Sequence, residues 1–282
     1  MQSLIELIGE AAKIPSFSSF EERIHPFVIE HLNEIANIDY KIVDDRNIIA
    51  YVPGDSAKKP VALSAHLDKI NHFGEDNPSA LPIEYGTSFI KGQMDNTVGI
   101  GIILRIAQIA SLQDWPPLVL LFSEMEESYG LKHHPELLRD KGEGLHHGMG
   151  AEKLARDIIE QKINLQSVIT VDTTPLFRGD NGVALYSGHW EFTKQQPDEA
   201  EESATKEIKE IFRKIDSDIL FSNNTNDYLT YGKELNKPGR PATPSIAIEP
   251  AIHPYHQKGE KVYYSDIERV YGILKTYLSD YA

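Results

Sequence analysis

A set of acids and imidazoles follows the apolar runs of this chain in a recurring way. The run VALSA leads into His66 and Asp68, LVLLFS into Glu126 and Glu127, SVITV into Asp172, and SIAIE towards His256. Asp95 stands at the start of a helical segment, GQMDNTVGIG, where the macrodipole favours a carboxylate and Gly92 and Gly99 permit close approach. Taken singly these pieces say little. His-x-Asp recurs by chance, paired glutamates are commonly an exposed turn, and Asp95 or Asp172 could cap a helix or turn. Their shared placement carries the weight, because in an open parallel sheet the C-terminal strand edges lie along one side, where such folds bind ligands.

The residue types match a pair of divalent cations. Such ions, about 3.5 to 4 Å apart, repel one another, so a carboxylate must bridge them while imidazoles and further carboxylates complete each shell. Asp95 suits the bridge. Three carboxylates against two dications leave a residual positive charge, enough to acidify a shared water and polarise a carbonyl. Glu126, beside a ligand but not needed as one, is then free to move a proton. Asp68 can hold the His66 imidazole in the correct tautomer from behind. The chain has no cysteine and 11 histidines, so bound metal must rely on His and carboxylate ligands.

The elements that must position these groups can be read from periodicity. SLIELIGEAAKI predicts an opening helix, and Ser18 with Glu21 resembles a capping box for a second, FEERIHPFVIEHLNEIA. IDYKIVDD and NIIAYVPG predict paired strands around an Asp44–Asn47 turn, followed by the run PVALSA. Thereafter the apolar runs PLVLLFS, QSVITVD, DILFSN and PSIAIE alternate with helices such as DNTVGIGIILRIAQIASL and GAEKLARDIIEQKI. That order predicts an α/β fold: a three-layer α/β/α sandwich with a mainly parallel central sheet and helices on both faces. Within QQPDEAEESATKEIKEIFRKI, the spacing of Ile208, Ile211, Phe212 and Ile215 gives a solvated surface helix one buried stripe. A final amphipathic helix follows, with Ser265 as its expected cap. HHPELLRDKGEGLHHGMG reads as a long loop of the kind that borders a site.

Composition narrows the partners. With 43 acidic against 28 basic residues, the formal net charge is −15, a field that repels nucleic acid and anionic lipid surfaces. No apolar run approaches the roughly 20 residues of a membrane helix. The N-terminal residues lack a basic leader and carry acids in their apolar stretch, which argues against a signal peptide. A cytoplasmic protein of one catalytic domain, residues 1–282, is expected, with no nucleic-acid or membrane partner.

SAHLDKI, KGQMDNTVGIG, FSEMEESYGL, VITVDTTP and YHQKGEKVYYSDIERV together resemble the metal-binding segments of the co-catalytic di-zinc exopeptidases. That superfamily includes bacterial leucyl and glutamyl aminopeptidases and, more distantly, the acetylornithine deacetylase and carboxypeptidase group. The resemblance implies that Glu126 is the general base, that Glu127 and His256 serve one metal and His66 and Asp172 the other, and that Asp95 bridges both. It implies two Zn2+ ions, with Co2+ or Mn2+ as alternatives, and places Asp227 near the pocket. An aminopeptidase acting on short peptides is the leading expectation. A deacylase of acyl-amino acids or a carboxypeptidase is the second, with Arg178 and Arg240 available for a substrate carboxylate, and a catalytically silent binding module the third. Departures are visible too. Ser128 and Tyr129 lengthen the usual Glu-Glu-x-Gly-Leu turn by one residue, Glu124 offers a rival carboxylate, and His253 is an alternative to His256. The stretches between Asp68 and Asp95, and between Asp172 and His256, are too short for the inserted barrel or dimerisation lid of the relatives. A homo-oligomer remains compatible with the resemblance, and the roles of His133, His134, His146 and His147 stay open.

Overall fold

The computed structural model describes residues 2–74, 78–127, 135–139 and 144–282. In chain order the first half runs α1 (Leu4–Lys13), α2 (His25–Asn33), β1 (Asp39–Val43), β2 (Asn47–Val52), β3 (Val61–His66), β4 (Glu84–Tyr85), β5 (Phe89–Gly92), α3 (Thr97–Ala110) and β6 (Leu118–Ser123). The second half runs α4 (Met149–Glu160), β7 (Ser167–Val171), β8 (Val183–Ser187), the single turn α5 (Trp190–Thr193), α6 (Glu199–Ile215), β9 (Leu220–Ser222), α7 (Asp227–Leu235), β10 (Ser245–Pro250), β11 (Ile252–His253), β12 (Glu260–Tyr263) and α8 (Tyr264–Asp280).

The main sheet has eight strands in the order β1-β2-β6-β3-β7-β10-β8-β9. Its centre, β6-β3-β7-β10, is parallel throughout. The β1–β2 hairpin joins β6 antiparallel, and β8 lies antiparallel to β10 while β9 runs parallel to β8. Alternate residues of the central strands serve opposite faces. Leu63, Leu120 and Ile169 pack with α1, α2, α3, α6 and α8, whereas Ala62, Val119 and Val168 pack with α4 and α7. Burial on both faces explains why these strands read as continuous apolar runs rather than alternating ones. A second, four-stranded antiparallel sheet, β11-β12-β5-β4, follows on from β10 and shares the same core, to which it adds Ile90, Ile252 and Val262. No helix among the described residues is long and apolar enough to cross a membrane.

Helix α3 is the central brace. Only Gln108 and Ile109 escape full burial along its length. Its first turn presses on β7: an added Cβ at Gly99 would lie 2.2 Å from the Val171 carbonyl oxygen. Asn96 secures the junction, its side chain accepting the Gly99 amide at 2.9 Å and donating to that same carbonyl at 2.8 Å.

Two expected caps do not form. Helix α2 begins at His25 with no side-chain cap, too far along the chain for Ser18 to cap it, and the Ser18 hydroxyl donates to the buried Asp68 carboxylate at 2.8 Å. Helix α8 emerges directly from β12, so Tyr263 occupies the cap position and Ser265 lies inside the helix. The opening helix does have a capping box, made by Ser3 and Glu6.

The close approach at Gly99 is testable. Gly99→Ala is expected to lower the unfolding free energy by about 1–3 kcal/mol, measured by denaturant titration. Gly272→Ala, in α8 where nothing lies within 4 Å of the new methyl, should instead be neutral or stabilising.

Candidate active site

The parallel strands deliver the predicted groups to one edge. His66 is the last residue of β3, Asp172 directly follows β7, and the Glu126–Glu127 turn follows β6. Asp95 lies just ahead of α3, and the Asp95–Asn96 peptide is cis. His256 stands between β11 and β12 in the left-handed region, φ 53°. The structure brings all five proposed ligands together. The His66, Asp95 and Glu127 ligand atoms lie within 4.8 Å of one another.

Asp95 lies between two imidazoles. Its Oδ1 is 3.1 Å from His66 Nε2 and its Oδ2 is 3.7 Å from His256 Nε2. Asp172 Oδ1 flanks the first imidazole at 3.6 Å, and Glu127 Oε2 flanks the second at 3.2 Å. One carboxylate therefore faces two sets of donors, each with one further acid and one histidine.

The electrostatics of this cluster call for cations. Burial, then the neighbouring Asp95 charge, holds the Glu127 carboxyl well above the usual range, and the same two causes push Asp172 up to about 7. Burial also raises Glu126, with Asp172, Asp227 and Asp95 adding to it against the opposing charge of His66. For His66, burial favours the neutral ring, but hydrogen bonds to Asp172, Asp68 and Asp95 prevail and hold its pKa well above the ordinary value. Glu127 Oε2 is buried and receives no hydrogen bond. Among the described residues, no Lys or Arg is ion-paired with Asp95, Glu127 or Asp172. Imidazoles and carboxylates in this proportion are the donor set of divalent zinc-like metals, and the residues fit such ions.

Behind the ligands, Asp68 does more than orient a histidine. The closest partner of His66 Nδ1 is the Asp68 backbone carbonyl at 3.0 Å, with the carboxylate at 3.3 Å. That leaves Nε2 for the cluster. The Asp68 carboxylate accepts the Glu126 amide at 3.0 Å on one oxygen and the Glu127 amide at 3.2 Å on the other.

Some contributors escaped the sequence reading. Glu260 Oε2 accepts the Met94 and Asp95 amides at 2.9 and 3.2 Å, fixing the bridge. The His-x-x-x-Glu spacing was its only signal. Tyr255 stacks on His256 at 3.7 Å between ring centres. Asp227, by contrast, was expected near the pocket from the resemblance: at the first turn of α7 it is buried, takes the Ser123 hydroxyl on Oδ2, and is pushed up to about 6, chiefly by burial.

The rival groups lie elsewhere. Glu124 is bound to Asn47 Nδ2 at 2.8 Å and Lys153 Nζ at 2.7 Å, away from the ligands. His253 is exposed on β11, and His146, also exposed, meets Glu152 at 3.2 Å. His147 is exposed as well. Arg178 is exposed and Arg240 donates to the Leu235 carbonyl, so neither contacts the cluster. The lengthened turn at Ser128, Tyr129 and Gly130, together with His133 and His134, falls outside the described residues.

The sequence profile of Peptidase family M28 matches residues 47–273, a span that contains every one of these groups. The chain belongs to peptidase family M28. It shares its fold with the TET1 peptidase of Pyrococcus horikoshii, at 13% identity and a TM-score of 0.65 over 99% of this chain and 100% of that one. It is similar also to the aminopeptidase APDkam598 of Desulfurococcus kamchatkensis, at 15% identity and a TM-score of 0.66 over 98% and 94%. A tripeptidase of Staphylococcus aureus matches at 11% identity and a TM-score of 0.65, covering 98% of this chain and 96% of that one. A search of curated protein sequences finds no match. As an M28 peptidase the chain is a metal-dependent hydrolase of peptide bonds.

In the metal-free protein Asp172 is largely protonated below about pH 7 and His66 carries its proton through neutrality. Both protons must leave before these groups can bind a cation. Metal uptake below pH 7 is therefore expected to release protons, seen by calorimetry as heats that vary with buffer ionisation enthalpy. Buffer-independent heats would exclude a ligand role for the pair.

Proposed function

We propose that this M28 peptidase is a di-zinc aminopeptidase acting on short peptides, with residues 1–282 as a single catalytic unit. The observation that carries the reading is the Asp95 carboxylate set between His66 and His256, each with its own second acid. His66 and Asp172 would hold one ion, Glu127 and His256 the other, and Asp95 both. Bound there, the ions supply an acidified water and a polarised scissile carbonyl.

The remaining chemistry belongs to the chain. Glu126 takes the proton released from the attacking water and delivers it to the leaving amine nitrogen. Burial, the first cause of its raised pKa, makes the Glu126 carboxylate a stronger base for accepting that proton. Asp68 keeps the Glu126 backbone fixed during the transfer. Among the described residues no Lys or Arg is ion-paired with the acids of the cluster, so no cation stands beside them to hold a substrate carboxylate, which favours a peptide amino terminus there. That charge pattern supports the aminopeptidase over an acyl-amino-acid deacylase or a carboxypeptidase. Retention of the base together with the ligand types speaks against a silent binding module.

Purified protein is expected to carry about two equivalents of zinc and to cleave aminoacyl anilides, not acylated amino acids. Glu126→Gln should keep both metals while kcat falls by about 10²–10⁴-fold; undiminished turnover in that variant would rule the base out.

The TET1 peptidase of Pyrococcus horikoshii assembles into a tetrahedron or a large octahedral shell. On that likeness we extend the proposal to a homo-oligomer, located in the cytoplasm in keeping with the absence of cysteine. Light scattering should then give a mass that is a multiple of one chain, and a strictly monomeric mass at working concentration would refute it.

A further inference from the structure

The segment between α1 and α2 looks like a connector, yet it is among the most buried parts of the chain. Ser16, Phe17, Ser18, Ser19 and Glu21 are all shielded from solvent. They run beside residues 67–69, the continuation of β3 past His66. The Lys69 amide donates to the Ser16 carbonyl at 2.9 Å and the Ser18 amide to the Lys69 carbonyl at 3.1 Å. The Ser16 hydroxyl adds a bond to the Leu67 carbonyl at 2.8 Å.

From this footing two side chains reach the turn that carries Glu126. Ser18 donates to Asp68 Oδ2 at 2.8 Å, the same oxygen that accepts the Glu127 amide. Glu21 Oε1 accepts the Met125 amide at 3.2 Å and the Ser19 amide at 2.9 Å. Three successive amides, those of Met125, Glu126 and Glu127, are thus each held by a carboxylate oxygen, one from Glu21 and two from Asp68. Met125 sits at φ 54°, a left-handed conformation that a non-glycine residue keeps only when its surroundings fix it. Arg46 and Lys153 bear on Glu124, just ahead of the turn, but neither replaces a bond to these three amides.

We propose that Ser18 and Glu21 are positioning residues that set the Glu126–Glu127 turn, so that the connector ahead of α2 belongs to the catalytic machinery. They touch no reacting atom and act through Asp68 and Met125. The inference rests on Glu126 being the base, as proposed above.

The test uses Ser18→Ala, Glu21→Ala and Glu21→Gln in the full chain at saturating zinc, with metal content and steady-state kinetics on an aminoacyl anilide. Ser18→Ala and Glu21→Ala should lower kcat by roughly ten- to a hundredfold, with KM within about twofold and the metal content of wild type. Glu21→Gln, which retains the acceptor oxygen, should restore kcat to near wild type. Should Glu21→Ala fail to fold, Ser18→Ala decides, since it removes a single hydroxyl. Wild-type kcat in the alanine variants overturns the proposal. So does a loss of kcat that only tracks loss of metal, which would make these residues scaffold. Glu126→Gln is run alongside: if it stays active, the base assignment has failed, and if it is inactive while the alanine variants are fully active, only the clamp has.

Discussion

Burying several carboxylates within a few ångströms of one another is the constraint to which the rest of this protein responds. Asp95, Glu127 and Asp172 would ordinarily shed such crowding into water, and here they are closed in by strands and by α3. Protons can relieve the repulsion, as the raised pKa values of Glu127 and Asp172 indicate, and divalent cations relieve it better. The fold keeps the acids poised between those two solutions. Any change that lets the cluster relax outward would ease the electrostatics and lose the geometry.

Backbone amides do much of the holding. Glu260 takes two from the chain entering α3, and Asp68 takes two from the Glu126–Glu127 turn. Each is itself a buried acid, so a second layer of carboxylates positions the first through the peptide chain rather than through cations. Glu21, pushed up to about 8 chiefly by burial, extends that layer. An acid-rich interior survives because neutral donors are supplied from several elements at once.

The sequence showed most of the main sheet because its central strands are apolar on both faces. His66, Glu127 and Asp172 were legible for the same reason, since each stands at or just past the end of such a run, whereas Asp95 was marked by the helix it precedes and His256 by its motif. What stayed hidden has physical causes. β5 and β12 carry Lys91 and Lys261 among few apolar residues, and β8 is a short run between Gly182 and Gly188 that was passed over. The Ser18–Glu21 pattern looked like a local cap, yet both side chains bond across the fold, to Asp68 and to Met125. A spacing rule cannot see a distant buried acceptor. Ser265 was misread because helix α8 starts straight from a strand, with no separate turn to cap. Helix α7 is announced by Asn226, whose side chain accepts the Tyr228 amide, but its mixed polarity blurs the periodicity.

The small sheet has a mechanical meaning. Gly92 of β5 pairs with Glu260 of β12, three residues before Asp95 and four after His256. His256 is therefore joined to the small sheet, Asp95 is tied to both sheets through Glu260 on one side and the Asn96–Val171 bond on the other, and His66, Glu127 and Asp172 follow strands of the large one. His256 and Glu127 would hold an ion between the β11–β12 turn and the large sheet, so filling the cluster would stiffen that link as well as the site itself.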